Sequence, residues 1–402
     1  MKRLYEAIIH EHLEKYDLMV FICGPRQVGK TTLAQALAGV KNKYLYLNWD
    51  NLDDRRRILE GPTKLVEEDL LSNVSKGKPF LILDEIHKYE EWSSFVKGIY
   101  DTYKDELRII VTGSARLNVY RRGGDSMMGR YFQYRMHPLS VGELLHSEPG
   151  ETVLRKPKKL GIKKFNELLE FGGFPKPFLN KDKKFARRWQ DLRHQQLINQ
   201  DLRDISDIRM TSKMEVLIQL ISGQSGQLFN YNNMATKIRV SNFTVRHWMD
   251  VLEELYYCFK IHPWSTNVER SLLKNPKYYL WDWSRVKDKG ARVENFVASH
   301  LLKAVHYWND TGQGQYELYF VRDKDQNEVD FLVVENGDPW MLIEVNFSED
   351  KVLSKSLKKF QEQLRPKYSV QLAYDMDYID FDIRDIKKAK IMPMITFLSQ
   401  LP

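Results

Sequence analysis

The octapeptide Gly24-Pro25-Arg26-Gln27-Val28-Gly29-Lys30-Thr31 restricts this chain more than any other segment, because it fits G-x-x-x-x-G-K-[ST] and has the neighbours such a loop needs. An apolar run over 18–23 precedes it, and residues 32–37 behind it have helical spacing. Strand, glycine loop and helix together let backbone amides curl around phosphate groups at a helix N-terminus, where the helix dipole favours negative charge. Lys30 would then reach the β- and γ-phosphates, and the Thr31 hydroxyl would ligate Mg2+. Thr32 belongs to the same expected binding segment. ATP with Mg2+ is the cofactor this pattern calls for.

Phe80-Leu81-Ile82-Leu83-Asp84-Glu85 is an apolar strand ending in two acids, and Asp84 follows Lys30 by 54 residues. Adjacent carboxylates at the end of a buried strand are costly unless a cation or solvent meets them. Asp84 is therefore expected in the Mg2+ shell and Glu85 as the general base that polarises the attacking water. A third strand runs Ile109-Ile110-Val111-Thr112-Gly113-Ser114. Its polar end can sit between that water and the γ-phosphate; Ser114 is the first candidate for this sensor and Thr112 the second. Asp84-Glu85-Ile86-His87 also spells the D-E-x-H box of two-lobed helicases, but the rest of the chain reads as helices and a different sheet.

GPRQVGKTT, LILDEIHK, VTGSAR and GRYFQYRMHPLS together resemble the AAA+ superfamily ATPases of archaea and bacteria related to the STAND NTPases. The resemblance implies a five-stranded parallel core, a helical lid and ATP hydrolysis. It also implies that Arg130 is offered as an arginine finger to a neighbouring subunit, with Arg135 as the fallback. An arginine there would neutralise transition-state charge and make hydrolysis depend on assembly, so a homo-oligomer is expected, a hexamer among the forms considered. In related NTPases a Gly-Gly-x-Pro element packs near the adenine, which marks Pro175 in Gly172-Gly173-Phe174-Pro175.

Continuous apolar strands at 18–23, 44–47, 80–83 and 108–112, alternating with helical segments, indicate an α/β fold with a parallel sheet covered on both faces. From about residue 140 to 270 the pattern is almost entirely helical. Strands return at 278–281, 317–322, 328–334 and 340–345, with a helix across 292–305. The expected division is 1–140 for a P-loop ATPase core, 141–207 for a lid and basic segment, 208–269 for a winged helix, and 270–402 for a mixed α/β domain.

Residues 155–193 hold thirteen Lys or Arg against four acids, a surplus of nine, whereas the whole chain carries only +8. Lys183, Lys184, Arg187 and Arg188 are the densest part of it. A concentrated positive field attracts a polyanion, and nucleic acid is the usual one. Just downstream, a stripe of Met214, Leu217, Ile218 and Ile221 is followed by a short helix and a tight turn. A helix capped by Ser241 and a strand over 256–262 come next, which is winged-helix order. Val245, Trp248, Met249 and Leu252 share the inner face of that last helix, which turns Asn242, Thr244 and Arg246 toward a DNA groove. DNA is the expected partner; docking to protein is the other use of such a module.

Near the C-terminus, Glu294 on a helix, Asp330 on a strand and Glu344 in Leu342-Ile343-Glu344-Val345-Asn346 resemble the PD-(D/E)XK nuclease-like domain often fused behind this ATPase. In active members of that group such acids hold a divalent metal and a lysine aids the nucleophile or phosphate. Here Asn346 stands in the lysine position, and Lys351 or Lys355 would have to supply the charge instead. A domain that stabilises or binds, rather than cuts, is the expectation.

The chain of 402 residues is 43% hydrophobic, too apolar for intrinsic disorder, and no run reaches the roughly 18 apolar residues of a membrane helix. Glu6, His10, Glu11 and Glu14 interrupt any leader-like stretch, and the two cysteines, Cys23 and Cys258, suit a reduced cytoplasmic setting. Three functions fit this reading: an ATPase that remodels or moves on DNA, a nucleotide-switched regulator of DNA or protein, and an ATP-regulated nuclease.

Overall fold

The computed structural model describes residues 2–39, 42–72, 77–113, 127–146, 148–150, 152–202, 210–265, 274–347 and 352–402. The chain is α/β and falls into two compact units, residues 1–137 with 147–149, and residues 138–146 with 150–402.

Unit 1 opens with helix α1 (Leu4–Lys15) and strand β1 (Met19–Cys23), followed by helix α2 (Lys30–Ala38) and strands β2 (Tyr44–Asn48) and β3 (Phe80–Asp84). Helical segments Leu52–Leu59 and Lys64–Leu71 lie between β2 and β3, and helix α3 (Trp92–Tyr103), β4 (Arg108–Gly113) and β5 (Tyr131–Arg135) follow. The sheet order is β2-β3-β4-β1-β5, and every pairing is parallel. All residues of β1 and β3 are buried, which is why both read as unbroken apolar runs. Phe21, Leu81, Leu83 and Val111 meet Leu65, Val96 and Ile99 in one core. β5 is an edge strand whose residues are mostly part-exposed, so periodicity gave no sign of it.

In unit 2, Lys183–Gln196 forms α4, Thr211–Gly223 α5, Tyr231–Ile238 α6 and Asn242–Glu254 α7. Strands β6 (Cys258–Pro263) and β7 (Lys277–Leu280) precede the long helix α8 (Lys289–Asp310). β8 (Tyr316–Arg322), β9 (Glu328–Glu335), β10 (Asp338–Asn346), β11 (Tyr368–Ala373) and β12 (Lys390–Pro393) come after it. These strands build a seven-stranded mixed sheet in the order β12-β11-β10-β9-β8-β6-β7. The expected border at 269/270 therefore cuts a sheet. β6 pairs antiparallel with β7 and parallel with β8, so backbone hydrogen bonds join the segment 208–269 to the strands beyond residue 270. Nor does a compact-unit border separate 141–207 from the rest of unit 2.

The apolar stripes of α5, α6 and α7 close on one another through Met214, Ile218, Met234, Ile238, Val245, Trp248 and Leu252. Cys258, Tyr278 and Leu280 from β6 and β7 floor the same cluster, and Leu228, before α6, bridges antiparallel to Lys277. Among the described residues no helix is long and apolar enough to cross a membrane.

Candidate functional site

β1 ends at Cys23 and the backbone turns through residues 24–29 into α2. Gly24 has φ 147°, and a Cβ there would lie 2.2 Å from the Met136 carbonyl oxygen, so the turn admits no side chain. Gln27 (φ 64°) and Gly29 (φ 103°) are also left-handed, the kind of backbone alternation that forms an anion-binding nest. Lys30 is the first helical residue. Its ammonium is buried and donates to the carbonyls of Gly24 and Pro25, each at 3.0 Å. Burial pushes its pKa down, with Glu85 and Asp84 opposing that shift.

Three hydroxyls converge on Asp84. Thr31 Oγ1 donates to its Oδ2 at 2.7 Å, Tyr46 OH to the same oxygen at 2.8 Å, and Thr112 Oγ1 to Oδ1. The register explains the meeting: Asp84 is opposite Asn48 on β2 and Thr112 on β4, so its neighbours on both sides reach it. Burial and the Asp84 carboxylate push the Tyr46 phenol up, which keeps it a donor. Thr31 and Asp84 present hard oxygen ligands of the type Mg2+ takes, already adjacent.

Glu85 adopts a left-handed backbone (φ 54°), an uncommon conformation for a residue with a side chain. Its amide donates to the Thr112 carbonyl at 3.0 Å. Its Oε2 lies 3.6 Å from His87 Nε2 and 3.7 Å from Lys88 Nζ, and burial raises its pKa. Lys88 is also held at 2.6 Å by both oxygens of Asp50.

Of the expected sensors, Ser114 lies outside the described residues, whereas Thr112 is engaged with Asp84. Arg130 precedes β5, where its carbonyl accepts from Met19 N at the start of β1. The phosphate-loop candidate follows the other end of β1, so Arg130 stands at the opposite end of the parallel strands. Its guanidinium pairs with Asp101 on α3 at 2.7 Å. Arg135, the fallback, is level with Cys23 beside the loop. Arg3 had no sequence signal. It donates to the Val28 carbonyl and the His137 carbonyl, each at 2.6 Å, and so braces the loop from outside.

In unit 2, Pro175 is an early residue of a short helix, and packing within the unit accounts for the glycines before it. A Cβ on Gly173 would lie 2.5 Å from the Trp283 ring and 2.6 Å from the Leu139 carbonyl. Lys183, Lys184, Arg187 and Arg188 are all exposed on α4, while Ala186 and Trp189 bury the other face. Lys183 is paired with Glu170 at 2.7 Å. On α7, Arg246 is exposed, stacks 4.2 Å over the Tyr231 ring and donates to Asn242 Oδ1 at 2.8 Å. Thr244 Oγ1 lies 2.7 Å from the Ser241 hydroxyl. Phe243, beside them, is 80% exposed and was not marked by the sequence pattern.

Glu294, Asp330 and Glu344 do come together, but around an ammonium. Lys277 Nζ lies 3.5 Å from Glu294 and 4.0 Å from Asp330. It is 2.7 Å from Glu328, an acid the sequence pattern did not single out. Among the described residues no group of three or more His, Cys, Asp or Glu is arranged to hold a metal ion. Burial and mutual repulsion push the carboxyls of Asp330 and Glu344 up, toward their neutral forms. The expected metal set thus lies beside a buried lysine, Lys277. Lys351 lies outside the described residues, and Lys355 opens a later helix.

Residues 16–145 match a family model described as an AAA domain. Residues 162–286 and 289–392 match two models described as domains of unknown function, DUF8612 and DUF4143. The chain is similar to an uncharacterized protein of Haemophilus influenzae, 25% identical over 82% of this chain and 83% of that one. It is also similar to an uncharacterized protein of Methanocaldococcus jannaschii, 25% identical over 69% of this chain and 64% of that one. Among solved structures, an Aeropyrum pernix ORC1 protein in complex with DNA aligns over 74% of this chain and 93% of its own, at 11% identity and a TM-score of 0.35. That likeness is too loose to carry a partner across. The stretch that matches the AAA-domain model takes in most of the first unit, where the loop, the acid pair and the parallel sheet come together.

Proposed function

We propose that this chain is a Mg2+-dependent ATPase whose turnover is coupled to work on DNA. The observation that carries the catalytic half is the hydrogen bond of 2.7 Å from Thr31 to Asp84, beside Lys30 beneath its loop. Lys30 would exchange two carbonyl partners for β- and γ-phosphate oxygens, and Thr31 with Asp84 would hold Mg2+, which supplies charge neutralisation at those phosphates. Glu85, at the end of the same strand, would take the proton of the attacking water. Arg130, remote from its own loop, suits a finger acting on a neighbouring copy.

The DNA half rests on α4 and α7 in unit 2. Three helices, a bridge at Leu228 and the antiparallel β6 and β7 follow winged-helix order, and α7 carries Asn242, Thr244 and Arg246. The exposed Lys183, Lys184, Arg187 and Arg188 on α4 would add phosphate contacts. A second reading, a nucleotide-switched regulator, is favoured by one feature: Glu85 faces Lys88 and His87, a resting arrangement that suits slow turnover.

The deciding experiment is ATP hydrolysis by the full chain with and without single-stranded, duplex and branched DNA, alongside Glu85→Gln. Stimulation by a DNA form, with bound ATP trapped in Glu85→Gln, supports the motor. Turnover indifferent to DNA, with DNA or protein affinity that changes between ATP and ADP, supports the switch. Absence of ATP binding removes both.

A further inference from the structure

The acid centre of unit 2 draws on four elements. Glu294 comes from α8, Glu328 and Asp330 from β9, Glu344 from β10, and Lys277 enters from the first position of β7. Lys277 is 3% exposed, as buried as the apolar core around it. We propose that Lys277 is the resident cation of this centre, standing where a divalent ion would bind, so that unit 2 holds no catalytic metal there and does not cut phosphodiester bonds.

Three observations support this. Carboxylates drawn largely out of water favour a cation or a proton beside them, and the buried ammonium at 2.7 Å from Glu328 and 3.5 Å from Glu294 supplies a cation without any ligand from solution. Two of the oxygens a metal would use are already engaged: Tyr279 OH donates to Glu294 Oε1 at 2.7 Å, and Val345 N donates to Asp330 Oδ2 at 2.8 Å, while Glu344 Oε2 is buried without a hydrogen-bond partner. Gly226 (φ 79°) crowds one side of Glu294, since a Cβ there would lie 2.8 Å from Glu294 Oε1, although the Glu294 side chain keeps 23% exposure. A divalent ion entering this space would meet the buried ammonium at short range, where two positive charges in a poorly screened interior repel strongly.

The charge also comes from an unexpected strand. A lysine two positions after Glu344 would rise from β10, but that position is Asn346, opposite Ala373 on β11. Lys277 instead lies on the far side of the sheet order, beyond β9, β8 and β6. It also ties together the segments 162–286 and 289–392, which two separate family models describe.

The test is Mn2+ titration of the full, nucleotide-free chain, with free Mn2+ read by electron paramagnetic resonance, on wild type, Asp330→Asn and Lys277→Gln. Any ion held weakly in unit 1 is common to all three. Wild type and Asp330→Asn are expected to take up equal Mn2+. Lys277→Gln is expected to take up one further ion, and to melt lower in EDTA with recovery when Mn2+ is added. Uptake, or plasmid nicking with Mn2+, that wild type shows and Asp330→Asn loses would overturn the proposal. A folded Lys277→Gln that gains no ion would overturn it too. Should that variant fail to fold, the comparison of wild type with Asp330→Asn decides alone.

Discussion

Thr31 and Asp84 are joined by a hydrogen bond of 2.7 Å from the threonine hydroxyl to the carboxylate, one next to Lys30 at the start of α2 and the other at the end of β3. Each is an oxygen ligand of the kind Mg2+ takes, and Asp84 keeps two other donors, Tyr46 and Thr112, if the first is removed.

Thr31→Val should therefore leave the fold intact and weaken Mg2+-dependent ATP binding by about 10–100-fold, the usual effect of losing a ligand or its support. Tyr46→Phe, which removes only a partner of Asp84, should cost less. Fluorescent-nucleotide binding with Mg2+ and with EDTA measures both. An unchanged response of Thr31→Val to EDTA would separate this pair from metal binding.

Gly24 and Gly98 should respond to alanine with opposite signs. At Gly24 the new Cβ would collide with the Met136 carbonyl in a backbone region hostile to side chains, whereas nothing lies within 4 Å of a Cβ on Gly98, inside α3. Gly24→Ala is expected to lose about 1–3 kcal/mol and phosphate-loop function with it. Gly98→Ala should gain about 0.5–1 kcal/mol from helix propensity. Urea unfolding of the two variants provides the comparison, and equal effects would refute the packing argument.

His300 provides a pH test within unit 2. Its Nε2 accepts from Val141 N at 3.0 Å and its Nδ1 lies 2.7 Å from the Phe296 carbonyl, a pairing that suits the neutral ring. Burial pushes its pKa down to about 3, whereas an unfolded histidine titrates near 6.5. The folded pKa is depressed, so its contribution is complete above about pH 6.5. Below that, the unfolded chain takes the proton first and stability falls by about 1.4 kcal/mol per pH unit until about pH 3. Other groups titrate in the same window, so the quantity to follow is the difference between wild type and His300→Asn. Urea unfolding at pH 7, 6 and 5 should show that difference shrinking; a constant difference would contradict a neutral His300.

How much of the fold was legible in the sequence depended on how continuous each signal was. β1 and β3, buried on both faces, announced themselves as unbroken apolar runs, and the acid pair at the end of β3 marked the site. The edge strand β5 did not, because Gln133 and Arg135 interrupt its apolar residues at the rim of the sheet. Tyr46 was missed for another reason: its reach to Asp84 depends on β2 lying next to β3, a matter of sheet order rather than local pattern. Lys277 carried no signal at all, since a lysine opening a strand normally faces solvent, and only the fold brings four acids to it. The same dependence on pairing defeated the border at 270, which separated β6 from β7.

Arg130 gives the sharpest test of assembly. It lies before β5 at the starting end of the parallel strands, and the loop after Cys23 is at their other end. Over a strand of this length that is about 15 Å, beyond the reach of a side chain to its own phosphates. If it acts as a finger, it acts on a neighbour. Arg130→Ala should then bind ATP as wild type does but hydrolyse it about 10³–10⁵-fold more slowly. Glu85→Gln should be slow for a different reason, the loss of the base. In mixed assemblies, a Glu85→Gln copy can lend its Arg130 to an Arg130→Ala copy whose Glu85 is intact, so the mixture should regain turnover that neither variant shows alone. Steady-state hydrolysis across a series of mixing ratios measures this. Wild-type rates in Arg130→Ala would reduce Arg130 to the surface partner of Asp101, and slow variants without recovery on mixing would deny the contact between copies.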